Sequence, residues 1–261
     1  MQSIPRALFI SAFFYVGLVC SSAVSAVSCP PSSIQQTVQV ASVHDGDTIK
    51  LTDGRKIRLL GINAPEVASN RRPAQPYAYR ARDALRKLLQ QADFKVGLSF
   101  GAERRDKYKR TLAHLYLADG TNIQTRLILQ GYATAFTVPP NDRLADCYQR
   151  SEAQAIKAKQ GIWSLPEYQV KAASRLLTSE RGFRRVQGRV LRTKQGRKAF
   201  WIHMQGNLRV RIPASNLYNF DLHSLRQLSG KTIRVRGWIH PKSKGHFMQL
   251  RHPTALMAPI K

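Results

Sequence analysis

Three short blocks set acids, two arginines and a glutamate at spacings that suit phosphodiester chemistry. The first is Asp45-Gly46-Asp47-Thr48, the second runs from Arg58 through Asn63, Ala64 and Pro65 to Glu66, and the third is Asp106-Lys107-Tyr108-Lys109-Arg110. Cutting such a bond requires cations on the phosphate oxygens, a carboxylate for the attacking water, and oxygen ligands for a hard divalent ion. Arg58 and Arg110 can each grip a phosphate through two parallel hydrogen bonds, which lysine cannot reproduce. Glu66 follows Pro65, whose ring stiffens the chain. A carboxylate held near two arginines stays ionised at neutral pH and can orient or deprotonate water. Asp47 and Asn63 offer oxygens at strand ends, where a hard cation can bind. Taken singly, each residue has a plainer reading. Asp-Gly is a hairpin signal, Arg58 with Glu66 can be a structural ion pair, and Lys107 and Tyr108 can be ordinary loop residues. The information lies in the combination.

The elements that must position these side chains follow from period and punctuation. Residues 37–43, 48–51 and 56–60 alternate as strands separated by Asp45-Gly46 and Asp53-Gly54. A loop with basic residues and prolines spans 67–76. Ala81, Ala84, Leu85, Leu88 and Leu89 then repeat with helical period between Tyr77 and Gln91. Strand character returns at 94–100 and 111–117, a short helix spans Ile123 to Gln130, and a last helix runs from Arg150 to Lys159. Five strands with inserted helices describe a mainly β, α+β chain whose first domain, residues 27–166, is a five-stranded OB-type barrel.

Jointly, the three blocks resemble the staphylococcal nuclease (thermonuclease) family. Ser151-Glu152-Ala153-Gln154-Ala155 with Gly161-Ile162-Trp163-Ser164 is similar to that family's final helix and closing segment, so the resemblance covers residues 37–165. It implies a calcium-assisted endonuclease that cleaves DNA and RNA with little sequence preference and leaves 3′-phosphate ends. It also implies that Arg58 and Arg110 hold the scissile phosphate and that Glu66 is the general base or water-orienting group. Calcium would sit on Asp47, the Asn63 side chain and the Ala64 carbonyl, and Lys107 and Tyr108 would contact a neighbouring phosphate. Two departures stand out. Asn63 occupies a position that is aspartate in the family's best-known member, so one ligand charge is missing, which is expected to weaken calcium binding or broaden the choice of divalent ion. The tyrosines that flank the family's base pocket are not evident around Phe136 to Val138.

Charge points the same way by a separate route. Forty-two Lys and Arg against fifteen Asp and Glu leave a net +27, an excess that implies a polyanionic partner: nucleic acid first, an anionic envelope surface second. Residues 181–261 carry eighteen of the cations and one acid, Asp221. Glu167 to Arg181 is expected to be a charged linker, helical in part. Residues 182–261 then read as a small, basic, β-rich and OB-like domain. In its strands Arg209 and Arg211, and separately Arg234, Arg236 and Trp238, alternate with apolar neighbours, as a groove combining phosphate contacts with base stacking would require. The rival reading is a non-catalytic nucleic-acid-binding protein, for DNA capture or adhesion, on a degenerate nuclease fold.

The N-terminus reads as a leader. Arg6 precedes an apolar run from Ala7 to Cys20, about 14 residues and too short for a spanning helix, and Ala23 to Ala26 offers small residues at a cleavage point. Removal after Ala26 makes the protein exported, periplasmic or secreted, with no membrane insertion afterwards, and it is expected to act as a monomer. Two cysteines then remain, Cys29 and Cys147, an even pair that an oxidising compartment would join. The seven histidines are scattered, without zinc spacing.

Overall fold

The computed structural model describes residues 28–70 and 72–257, so the leader expected over residues 1–26 lies outside them. Strand β1 (Gln36–Val43) turns through Asp45 to Asp47 into β2 (Thr48–Leu51), and the Asp53-Gly54 turn leads into β3 (Lys56–Leu59). Next come β4 (Ile62–Asn63), helix α1 (Ala78–Gln90), β5 (Lys95–Arg105), β6 (Thr111–Tyr116), α2 (Ile123–Leu129), β7 (Thr134–Ala135) and α3 (Ala145–Lys157). The order β1-β2-β3-β6-β5 closes into a barrel, with β3 and β6 parallel. Alternate positions point inward, so Val40, Ile49, Ile57, Leu59, Val96 and Leu98 fill its core, and Ala81, Leu85 and Leu89 of α1 pack on it. Outside the barrel β4 pairs with β7, setting Asn63 opposite Thr134.

The second half comprises β8 (Val170–Ala172), β9 (Gly182–Gln195), β10 (Ala199–Met204), β11 (Leu208–Pro213), α4 (Leu222–Arg226), β12 (Thr232–Lys242), β13 (Gly245–Gln249) and β14 (Leu256–Met257). The run β9-β10-β11-β13-β12 returns to β9, with β11 and β13 parallel. This is the connectivity of the first barrel, including a helix between the third and fourth strands. Val186, Phe200, Ile202, Val210, Ile233 and Val235 form its separate core. Both barrels are of OB type. Among the described residues no helix is long and apolar enough to cross a membrane.

Several expectations need correction. Residues 167–181 are helical in part, as single turns of 3-10 helix, but they are more than a linker: between those turns β8 pairs in parallel with β9, because Val170 finds a free sheet edge. Helix α3 starts at Ala145 rather than Arg150, since Cys147 and Tyr148, poor helix formers, are buried against the barrel. The largest correction concerns β12. Arg236 is 4 % exposed and pairs with Glu152 of α3, itself 1 % exposed. Its Nη2 donates to Glu152 Oε1 and to the Ala135 carbonyl, each at 2.8 Å. Trp238 is half-buried between Phe136 and Phe183, with ring centroids 4.9 and 5.5 Å away. Arg236 forms no open nucleic-acid face, because the first barrel covers that side of the strand, and Trp238 lines the cavity left between the two barrels. Arg234 is also half-buried, bonded to Gln187.

Two further links tie the first barrel together. The expected bridge joins Cys29 to Cys147, 118 residues apart, and fastens the chain ahead of β1 to α3. Closing a loop of that length stabilises by about 4–5 kcal/mol in the chain-entropy model. His114 is buried with its Nδ1 2.8 Å from the Tyr148 hydroxyl. Burial, aided by the Arg143 charge, holds its pKa down to about 3.

Two measurements check these contacts. Arg236→Met should cost about 3–5 kcal/mol in urea unfolding, because it leaves Glu152 buried and unpaired; a surface phosphate contact would leave unfolding unchanged. Below about pH 6.5 the unfolded chain protonates His114 while the folded chain stays neutral to about pH 3, so its contribution to stability is lost as pH falls through that window. From pH 6.5 to 4.5 this term alone should remove about 2–3 kcal/mol, and His114→Gln should flatten the profile correspondingly.

Candidate active site

The site is assembled from the β1–β2 turn, the end of β3 and the β3–β4 corner. Thr48 and Arg58 are register partners across β2 and β3, which brings Asp47 beside Arg58. Gly46 is required by the close approach of this turn: a Cβ there would stand 2.6 Å from the Ala64 Cβ and 2.7 Å from the Ala81 Cβ. At the corner Gly61 adopts φ 77°, and a Cβ would lie 2.3 Å from the Tyr148 ring.

Within this frame the oxygens expected to hold a cation converge on Arg58. Its Nη2 lies 3.0 Å from Asp47 Oδ2 and 3.2 Å from Asn63 Oδ1. Asp47 Oδ2 also accepts the Ala64 N–H at 2.8 Å, and the Asn63 amide donates to the Ala64 carbonyl at 3.1 Å. Asp45 completes the turn by accepting the Asp47 N–H at 2.9 Å. Burial pushes the Asp47 carboxyl up to about 6, with Arg58 opposing the shift and Asp45 adding to it. Two buried carboxyl groups thus stand side by side with one guanidinium, paired to Asp47 alone, a deficit of positive charge that a hard cation would relieve. Among the described residues no three His, Cys, Asp or Glu side chains cluster as metal ligands, so a cation here would also draw on the Asn63 amide and the Ala64 carbonyl. The residues fit a hard, weakly held divalent ion.

Arg110 faces the same space. It and Arg58 line one cavity of about 200 Å³, together with Leu60, Phe136 and Asn141. Asp106 fixes Arg110, accepting from its Nε at 2.8 Å and lying 2.7 Å from its Nη2, while its other oxygen accepts the Tyr108 and Arg110 backbone N–H groups. The exposed Tyr108 ring lies between two cations, with Lys107 Nζ 4.9 Å and Arg110 Cζ 5.5 Å from its centroid.

A family model described as staphylococcal nuclease homologue matches residues 56–165. The chain is 34 % identical over 133 residues to the thermonuclease of Staphylococcus hyicus, an alignment covering 50 % of this chain and 77 % of that one. It is 35 % identical over 127 residues to the thermonuclease of Staphylococcus intermedius, covering 48 % and 74 %. It is also 34 % identical over 128 residues to endonuclease YncB of Bacillus subtilis (strain 168), covering 48 % and 60 %. The chain belongs to the staphylococcal nuclease family. The stretch matching the family model ends at Ser164–Leu165, so the second barrel is additional to it.

In this family member the arginines take carboxylate partners other than Glu66: Arg58 pairs with Asp47 and Arg110 with Asp106. Glu66 is exposed and lines an adjoining cleft of about 440 Å³ with Asn63, Thr134, Arg181, Arg184 and Trp238. Its backbone is clamped by Gln75, whose side chain accepts the Glu66 N–H at 2.9 Å. The structure thus brings Asp47, Asn63, Ala64, Arg58 and Arg110 into one locus and sets Glu66 beside it across Asn63. Arg209 and Arg211 lie away from this locus on the second barrel's outer face, in a basin of about 660 Å³ that also holds Trp201, His203, Arg192 and Lys194. Those last four were missed, although alternation within residues 199–204 sets Trp201 and His203 opposite Phe200 and Ile202. Glu152 was legible as part of the final-helix motif but not as the partner of Arg236, since a buried acid on a helix reads as an exposed one.

Replacing Asn63 by aspartate should add a ligand charge beside Asp47 and tighten calcium binding by about tenfold or more, read by calorimetry on the wild type and Asn63→Asp.

Proposed function

We propose that this nuclease is an exported, calcium-assisted endonuclease that hydrolyses DNA and RNA with little sequence preference, leaves 3′-phosphate ends and acts as a monomer. The observation carrying the reading is the meeting of the Asp47 and Asn63 side-chain oxygens at Arg58, with the Ala64 carbonyl bonded to the Asn63 amide, beside the cavity that Arg58 and Arg110 share. The family relation supports it, and the Cys29–Cys147 bridge supports export to an oxidising compartment.

A divalent ion held by Asp47, the Asn63 side chain and the Ala64 carbonyl would supply fixed positive charge beside the phosphate. Arg58, part-buried and already aimed by Asp47, would donate to a nonbridging phosphate oxygen. Arg110, held by Asp106, would donate from the other side, so that two planar forks meet the charge developing as the bond to the 5′-oxygen breaks. Glu66, on a stiffened segment next to Asn63, would orient and deprotonate the attacking water from the adjoining cleft. Lys107 and Tyr108, at the exposed end of the Arg110 loop, would take a neighbouring phosphate.

Cleavage of plasmid and single-stranded DNA, with calcium and with a calcium-specific chelator, tests the reading. Glu66→Gln should lower kcat by about 10²–10⁴ while DNA binding persists, and Arg110→Lys by about 10²–10³. The chelator should stop cutting by the wild type. Tight binding with no cutting under any divalent ion would replace this reading with that of a capture protein.

A further inference from the structure

We propose that the second barrel carries a track for single-stranded nucleic acid that starts in the cavity between the barrels and crosses the outer face of β10, β11 and β13. The proposal rests on the nuclease reading for its purpose and on separate observations for its path.

The starting cavity has a volume of about 330 Å³ and is lined by Phe136, Trp238, His240, Phe247, Gln149 and Arg251, among others. Phe136 also lines the cavity holding Arg58 and Arg110, so the two spaces share one wall residue. Aromatic faces for stacking, amides for a base edge and a cation at the rim match one unstacked nucleotide. Among its described lining residues none is acidic, and Arg236 at its floor is already paired with Glu152.

Beyond Phe247 the path is set by strand register. Trp201 lies opposite Lys194 on one side and Arg211 on the other, and Arg211 lies opposite Gln249. One step along, His203 lies opposite Arg192 and Arg209, and Arg209 lies opposite Phe247. All eight side chains share the outer face, because Phe200, Ile202, Val210, Ile212 and Met248 between them point into the core. The Arg211 Nη1 bond to Gln249 Oε1, at 2.8 Å, joins the basin to the rim of the cavity. Ring centroids of His240 and Phe247 are 6.5 Å apart, and those of Phe247 and Trp201 6.2 Å, so aromatic groups recur along the way.

Six cations, Arg192, Lys194, Arg197, Lys198, Arg209 and Arg211, line the basin, and among the described lining residues none is acidic. The surrounding cations act together on one point: His203 is held below the ordinary histidine range by burial and then by Arg192, Arg209 and Lys194. A solubilising surface needs no aromatic rings among its charges. A polymer with phosphates on one edge and bases on the other does. A duplex buries its base faces in its own stack, so it could use the cations and not the rings. The strands corresponding to β10 and β11 carry the oligonucleotide-binding face of OB barrels generally.

The test is binding of labelled oligodeoxythymidylates, from about 4 to about 16 nucleotides long, in calcium-free buffer, beside a blunt duplex. Wild-type affinity should rise with length for the single strand. Trp201→Ala with Phe247→Ala should remove that rise, weakening the longest strand by about tenfold or more and the duplex far less, while Trp201→Phe retains it. Arg209→Gln with Arg211→Gln should make the salt dependence shallower by about 0.7 per cation removed. Unchanged length dependence in the alanine pair, or equal losses for duplex and single strand, would overturn the track. Cleavage assays on the same proteins separate the two readings. A wild type that binds with length dependence but cuts nothing refutes the nuclease proposal alone, whereas normal cutting with flat length dependence refutes the track alone.

Discussion

One buried carboxylate holds the two halves of this molecule in register. Glu152 accepts the Ala135 N–H at 2.8 Å and pairs with Arg236 of the second barrel. Ala135 lies in β7, whose partner β4 carries Asn63. The same acid therefore steadies the corner of the candidate active site and anchors the additional barrel against it. Two ions taken this far out of water are tolerable only with every oxygen engaged. Here one oxygen is shared between Ala135 and Arg236 and the other is given to Arg236. Arg236 lines the cleft beside Phe136, and its pairing with Glu152 joins the two barrels that also bound the cleft beside Glu66.

A second constraint is charge. With a net +27, the chain has few acids, and Asp45, Asp47 and Asp106 at the first barrel's site are each paired with a particular guanidinium or backbone N–H. Asp47 aims Arg58 and Asp106 aims Arg110, so both cations are pre-oriented. Asp45 adds negative charge beside Asp47, which makes the locus receptive to a small hard ion while the rest of the surface favours a polyanion. A site that must hold a cation and an anion together needs this local inversion of the overall field.

Much of this was legible in the sequence because alternation and turn chemistry are local. Asp45-Gly46 and Asp53-Gly54 set two hairpins, and apolar residues at period two gave strands within a residue of β1, β2 and β3. The illegible part depends on what covers a face. Alternation correctly set Arg236 and Trp238 opposite Ile233 and Val235. It could not reveal that α3 and Phe136 lie over that side, turning an expected binding face into an interface. The final strand of the second barrel, β13, escaped notice because Lys242 to Gly245 reads as a basic loop and the strand itself is short. Residues 167–181 looked like a linker since their composition is charged, yet a free sheet edge recruited Val170. Within the candidate site the residue types were readable from the three motifs. The pairing of Arg58 with Asp47 rather than Glu66 was not, because it is set by the β2–β3 register.

The two barrels share strand order, a parallel third–fifth pair and a helix in the same connection, yet their surfaces suit different tasks. In the first, Asp47 meets Arg58 and Asp106 meets Arg110, so opposite charges stand within hydrogen-bonding distance, with Asp45 and Asn63 beside the first pair. The second has its cations spread across a strand face with Trp201 and Phe247 among them and no acid among the described residues lining that basin, whereas Glu180 is taken up by Lys171 and Arg184 and Asp221 caps α4 by accepting the His223 and Ser224 N–H groups. Bond cleavage needs opposed charges held close, whereas retention of a polymer needs one sign distributed along a path. The shared topology supplies only positions. What differs is whether acids stand among the cations, and this difference makes the first barrel a candidate for chemistry and the second for grip.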